Sequence, residues 1–151
     1  MRKAAEKVYR MIFAVLYGLG LRVGEVSRLC RKDVDFDRQL LIIRHTKFGK
    51  DRLVPFGPKM GRALAQYLER EESRCGQMSP DGSVFSFDRH KRKPIGTNTI
   101  SWTFHKLLPA LQLTIPSGTK APHLHCLRHS FRGEHTAALV LHRRRSNITA
   151  V

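Results

Sequence analysis

Val8, Met11, Ile12, Val15, Leu16 and Leu19 recur three and four positions apart. That period lines one face of a helix with 3.6 residues per turn and does not suit a strand, whose faces alternate at every residue. The spacing predicts an amphipathic helix over about residues 3–18, closed by Gly18 and Gly20. A helix with one wide apolar face must bury it, so the rest of the chain has to supply a partner layer.

The next segments show what that layer is. A short helix is predicted over about Val23–Arg31, with Val26 and Leu29 inward, and then the period shortens. Asp33–Phe36, Gln39–Arg44 and Arg52–Phe56 are short stretches rich in Val, Ile and Leu, separated by turn-forming residues, which suits a three-stranded antiparallel sheet. Met60, Leu64, Tyr67 and Leu68 mark a further helix that starts at Pro58 and ends among Glu71–Arg74. Gly76–Ser83 reads as a loop, Val84–Phe87 as a short strand, and Asp88–Pro94 as an exposed basic loop. Thr97 and Asn98 are placed to cap a helix carrying Ile100, Phe104, Leu107 and Leu108, which Pro109 should end or kink. Pro116–Pro122 reads as a loop, and a last helix begins near His123–Arg128. The whole is an α+β domain, mainly helical with one small antiparallel sheet.

Charge narrows the partners. Against 28 Lys and Arg stand 12 Asp and Glu, a formal net charge of +16. The last twenty residues carry four arginines and one glutamate, so +13 of that charge sits on residues 1–131 and the folded part is itself basic. Such a field favours a polyanion, and nucleic acid ranks ahead of a membrane surface. No apolar run approaches the roughly 20 residues of a bilayer span. Cys30, Cys75 and Cys126 are an odd set with no paired spacing, which argues against a disulfide framework and fits a reducing, cytoplasmic setting.

Three stretches carry chemistry. Gly18-Leu19-Gly20-Leu21-Arg22-Val23-Gly24-Glu25 sets an arginine in a glycine-flexed turn and a carboxylate three residues on. A guanidinium so placed is a planar fork for phosphate oxygens, with Glu25 to orient it; an ordinary surface ion pair has the same spacing. Thr46–Pro55 is a basic turn between two strands, whose Lys47, Lys50 and Arg52 could reach a nucleic-acid groove; a lysine there could also donate a proton if cationic neighbours lower its pKa. In His123-Leu124-His125-Cys126-Leu127-Arg128-His129, His125 and Arg128 stand at i and i+3 and can converge on one phosphate. His123, His125, Cys126 and His129 are legal zinc ligands, but their spacing matches no common site, and no metal is expected. Arg89, His90, Lys91, Arg92 and Lys93 in the basic loop are backbone-contact candidates.

In that order, Arg22 and Glu25, then Lys47 to Pro55, then His125 to Phe131 resemble the catalytic domain of the tyrosine recombinases, the phage-integrase family. The resemblance runs from about Ala4 to Phe131 and implies a mainly helical catalytic domain with a small sheet, acting on duplex DNA in recombination and integration, with a mobile-element origin. It implies that Arg22 and Arg128 clamp the scissile phosphate, that Lys47 is the general acid and that His125 assists proton transfer. Glu25 would be a buried partner of the first arginine and His129 a supporting residue. It further implies no metal or nucleotide cofactor, and intact recombinase protomers as partners.

The family attacks with a tyrosine, leaving a 3′-phosphotyrosyl bond, and that tyrosine lies roughly thirty residues beyond the histidine-arginine motif. Here Tyr9, Tyr17 and Tyr67 all precede the motif and 23 residues follow Arg128, so no nucleophile is assigned; Tyr67 is the least improbable substitute. Resemblance fades after Phe131, where Arg132-Gly133-Glu134-His135 interrupts the apolar period. The expectation is a partial catalytic domain over 1–131 followed by a basic tail over 132–151, with Met1–Lys7 too short for the family's N-terminal DNA-binding domain. The competing expectation is a non-enzymatic DNA-binding module that interferes with an intact recombinase.

Overall fold

The computed structural model describes residues 2–44, 50–88, 90–112, 114, 117–118 and 120–129. Helix α1, Arg2–Leu19, lays Val8, Met11, Ile12, Val15, Leu16 and Leu19 into the core, as its period requires. It ends at Gly20, whose φ of 59° is the left-handed conformation that glycine adopts at least cost. Gly18 remains inside the helix: a Cβ there would stand 2.7 Å from Met60 Cε, so its smallness lets the next long helix approach.

Helix α2, Val23–Ser27, is shorter than the Val23–Arg31 expected. The chain leaves it at Arg28 and re-forms as a separate 3₁₀ turn, Arg31–Asp33, where Asp33 Oδ2 accepts the Cys30 amide at 3.0 Å. That local bond offers the backbone an alternative to continuing the helix. Strands β1 (Val34–Asp35), β2 (Leu40–Ile43) and β3 (Arg52–Pro55) form the expected antiparallel sheet in the order β1-β2-β3. Leu41 pairs with Val34 on one side and Val54 on the other, and all three are buried. Their common face packs on the helices, which pins the register, because a slip of one residue would turn Leu41 and Ile43 outward.

Helix α3, Pro58–Cys75, starts with proline in its first turn and turns Leu64, Tyr67, Leu68 and Glu71 inward. Helix α4, Thr97–Leu107, is capped by Gly96 and not by a side chain of Thr97 or Asn98, and a 3₁₀ turn, Leu108–Leu111, takes in Pro109 where the helix stops. Residues 124–129 are helical, as expected from the motif there. Val84–Phe87, expected as a strand, is not one. Val84 and Phe85 are fully buried, but of the neighbouring backbone only Ser83 makes a ladder contact, with Cys30, while the Val84 amide goes to the Leu29 carbonyl at 2.8 Å. The short apolar run reports burial; it does not decide the hydrogen-bond partner.

Ile12 has no exposed surface and sits where α1 meets the rest of the core. Ile12→Ala is expected to cost about 2–5 kcal/mol of folding free energy, read as a drop in urea midpoint with an unchanged m-value.

Candidate functional site

The site is assembled around a buried carboxylate. Arg22 is the N-cap of α2, with extended backbone (φ −80°, ψ 149°), and Glu25 is the third residue of that helix. Glu25 Oε2 accepts the Arg22 amide at 2.7 Å and Oε1 accepts Arg22 Nη1 at 3.1 Å, so one side chain caps the helix and holds the guanidinium. From β3, Arg52 Nη2 donates to Oε2 at 2.8 Å. The Glu25 side chain is 3% exposed, whereas those of Arg22 and Arg52 are 48% and 36% exposed. Burial by itself pushes the Glu25 carboxyl up; hydrogen bonds from Arg52 and the Arg22 amide, with the charge of Arg52, outweigh it and hold the group below its ordinary value.

The second arginine arrives from the far end of the described chain. Arg128, half-buried on the 124–129 helix, donates through Nη1 to the Gly20 carbonyl, two residues before Arg22. Leu124 and Leu127, packed on the core, seat that helix. His125 is exposed, its ring 4.8 Å edge-on from that of His129 and 6.5 Å from that of His123. Partial burial first, then the positive charge of His129, Arg128, His123 and Arg22, pushes the His125 pKa below its usual 6.5. The bond from Arg128 to the Gly20 carbonyl brings the 124–129 helix to the turn that carries Arg22, about a hundred positions earlier in the chain. A cationic turn with an imidazole on the helix docked against it can attract an anion and offers a group able to pass a proton. A cleft of about 330 Å³ beside α2, lined among others by Arg28, Cys30 and Arg44, shares only Glu25 with this cluster.

Other expected site residues fall differently. Lys47 and Arg89 lie outside the described residues. Lys50 is exposed, as are His90, Lys91 and Lys93. The amides of His90 and Lys91 both donate to Asp88 Oδ1 at 3.0 Å, and those bonds hold the Asp88 pKa down. Arg92 corrects the picture of a uniformly exposed loop. It is 8% exposed; Nε and Nη2 donate to the Ser83 carbonyl, Nη2 also to the Val84 carbonyl, and Nη1 pairs with buried Glu71 at 3.3 Å. Its guanidinium satisfies the carbonyls that the missing strand would have paired, so Arg92 is a structural residue. Tyr67 is corrected too: it is buried, its hydroxyl donates to the Val84 carbonyl at 3.2 Å, and burial with the Glu71 charge pushes its pKa far up, which removes it as a nucleophile.

Sequence reasoning also passed over Asp33, 4% exposed, which caps its own turn and takes Arg44 Nε at 2.7 Å. A cap residue followed three positions later by an acid is a recognised signal, but Cys30 in the cap position disguised it.

A mixed domain of this topology, with a second arginine brought from a distant helix to the turn that carries the first, is of the tyrosine-recombinase catalytic class. The model of the Phage integrase family matches residues 1–136, and the chain belongs to that family. The putative integrase/recombinase y4rB of Sinorhizobium fredii is 37% identical over 123 residues, covering 82% of this chain and 38% of that protein. Tyrosine recombinase XerA of Thermococcus onnurineus is 34% identical, covering 81% and 39%. The crystal structure of XerA recombinase superposes with a TM-score of 0.60 at 26% identity, over 87% of this chain and 47% of that one. The Tn1549 transposon integrase, solved in complex with circular intermediate DNA, shares the fold with a TM-score of 0.65 at 21% identity, over 87% and 46%. The chain spans about two fifths of the length of the curated relatives it matches. Among the described residues, no helix is long and apolar enough to cross a membrane.

Two outcomes test this geometry. Arg92→Ala should cost about 3–5 kcal/mol, because Glu71 loses a buried partner, and thermal melting will register it. For pH, both perturbed groups act in one direction. Glu25, held below 4.5, stabilises the fold above that value and loses its contribution as pH falls through the lowered one. His125, held below 6.5, makes the unfolded chain bind more protons as pH drops past that value, which also favours unfolding. Glu25→Gln should therefore flatten the loss of stability between about pH 5 and pH 3, and the His125 ring should titrate below 6.5 by NMR.

Proposed function

We propose that this chain is the phosphate-gripping part of a tyrosine recombinase catalytic domain, acting on duplex DNA in the cytoplasm during recombination and integration. The observation that carries this reading is the Arg128 bond to the Gly20 carbonyl, which docks the helix bearing His125 and Arg128 on the turn that carries the half-exposed Arg22. A phosphodiester under attack gathers negative charge on its nonbridging oxygens, and two preorganised guanidiniums oppose that charge without reorganising. In this reading Arg22 and Arg128 hold those oxygens, and His125 passes a proton at the same phosphate. Lys47, which lies between β2 and β3 in the sequence, protonates the leaving oxygen. His129 supports the His125 ring from its edge. Lys50, Arg89, His90, Lys91 and Lys93 add contacts along the backbone, which set affinity and leave base sequence unread. Neither metal nor nucleotide cofactor enters this chemistry.

The attacking group is the remaining part. The chain's three tyrosines lie on α1 and α3, Tyr67 is sealed in the core, and Tyr9 stacks on Phe13 with ring centroids 6.1 Å apart. None of the three follows the histidine-arginine motif, where the family's tyrosine stands, so the chain alone is expected to bind DNA without cutting it, and a tyrosine from an intact recombinase protomer would complete the reaction. Gel shifts on a duplex should show affinity falling steeply with salt, and Arg22→Ala or Arg128→Ala should each reduce the log–log salt slope by about one. A nicked suicide duplex should yield no SDS-resistant adduct with the chain alone. Salt-independent binding would defeat the DNA reading, and an adduct would defeat the assignment of the nucleophile to another protomer.

A further inference from the structure

Arg52 has the wrong orientation for the groove-contacting role its neighbours suggest. Along β3 exposure alternates, with Leu53 and Pro55 outward and Val54 buried, so Arg52 shares the inward face with Val54. Its cross-strand partner, Ile43, is 2% exposed on that same face. An arginine on the core side of a strand must meet a buried acceptor or fail to be solvated, and here the acceptor is Glu25 Oε2 at 2.8 Å. Among the described residues Arg52 Nε is buried without a hydrogen-bond partner, so the inner part of this half-exposed side chain is packed against the core while Nη2 reaches Glu25.

Glu25 is the carboxylate that holds Arg22. Oε2 is shared between the Arg22 amide and Arg52, while Oε1 receives the Arg22 guanidinium. A lone i,i+3 pair between an exposed arginine and a free carboxylate is too weak to freeze so long a side chain. A carboxylate tied from a second element cannot rotate away, and its free oxygen then presents one fixed acceptor to Arg22. We propose that Arg52 is a positioning residue: acting through Glu25, it fixes the Arg22 guanidinium in its phosphate-facing orientation and ties the β2–β3 hairpin to the Gly20 turn. This rests on the reading of Arg22 as a phosphate ligand. The low pKa of Glu25, in which the hydrogen bond from Arg52 outweighs the other favourable contacts, agrees with the geometry.

A sister contact supplies the control. Arg44, at the foot of the other strand, ties to the capping carboxylate of Asp33 and does not touch Glu25. The experiment compares Arg52→Met, Arg52→Lys and Arg44→Met in the full chain. In the free protein, the Arg22 Nε–Hε heteronuclear NOE should be that of an ordered side chain in the parent and in Arg44→Met. It should fall in Arg52→Met and recover in part in Arg52→Lys, while the Glu25 carboxyl carbon titrates higher in Arg52→Met. With a short duplex, Arg22→Ala should weaken binding about tenfold in the parent and less than about twofold in the Arg52→Met background, since the residues act as one unit. Multiplicative losses would mean that Arg52 contacts DNA itself, and an Arg22 that stays ordered in Arg52→Met would overturn the proposal. If Arg52→Met does not fold, Arg52→Gln, which keeps a polar stem and removes the charge, decides: unchanged Arg22 order together with an unchanged Glu25 titration overturns it. If Arg22→Ala leaves DNA binding untouched, it is the phosphate reading that fails, and the order of Arg22 in the free protein still judges Arg52.

Discussion

The structure turns on one ionised carboxylate that has been taken out of water. A buried charge is costly unless it is paired and hydrogen-bonded, and Glu25 meets that condition with two donors from Arg22 and one from Arg52. Because those donors belong to the cap of α2 and to β3, the ion pair joins the turn after α1 to the sheet. Arg128 closes the third side by reaching the Gly20 carbonyl of the same turn. The positions of both arginines are thus referred to one short segment, Gly20–Glu25, and that segment is held by the fully packed Leu21 and Val26 beneath it.

The same device recurs and accounts for how a strongly basic chain folds. Among the described residues the buried acids are Glu25, Asp33 and Glu71, and each is paired with arginine: Arg22 and Arg52, Arg44, and Arg74 with Arg92. With 12 acids to 28 Lys and Arg, burying three of the acids in such pairs leaves the outer surface still richer in positive charge. Inside, arginine satisfies carboxylates and orphan carbonyls; outside, the surplus makes the field that draws a polyanion. The two uses of one residue type explain why Arg92, in the middle of a basic run, is core structure while His90 and Lys91 beside it are exposed.

Much of this was legible before any coordinates. The helices α1 and α3 follow from apolar spacing, because a 3.6-residue period has one geometric solution. The three strands follow from short β-branched runs between turn residues, and Glu25 was expected to be the buried partner of Arg22. What escaped was wherever the backbone chose among acceptors. Val84 and Phe85 have the composition of a strand, yet their surroundings are satisfied by a guanidinium and by the Leu29 carbonyl. Helix α2 stopped early because Asp33 offered Cys30 a local bond, and Thr97 and Asn98, reasonable caps, were displaced by Gly96. Each is a contest between near-equal local bonds that distant packing decides.

The sequence by itself determined the class: the helix period, the alternation of the strands, the positive surplus and the order of the arginine and histidine motifs, all of which depend only on spacing along the chain. The tertiary structure decided which basic residues are free to meet a ligand and which are spent inside, since Arg22, Arg52 and Arg92 are indistinguishable as letters. It also decided that Arg128 reaches the Gly20 carbonyl beside Arg22, because only packing carries residues a hundred positions apart to the same turn.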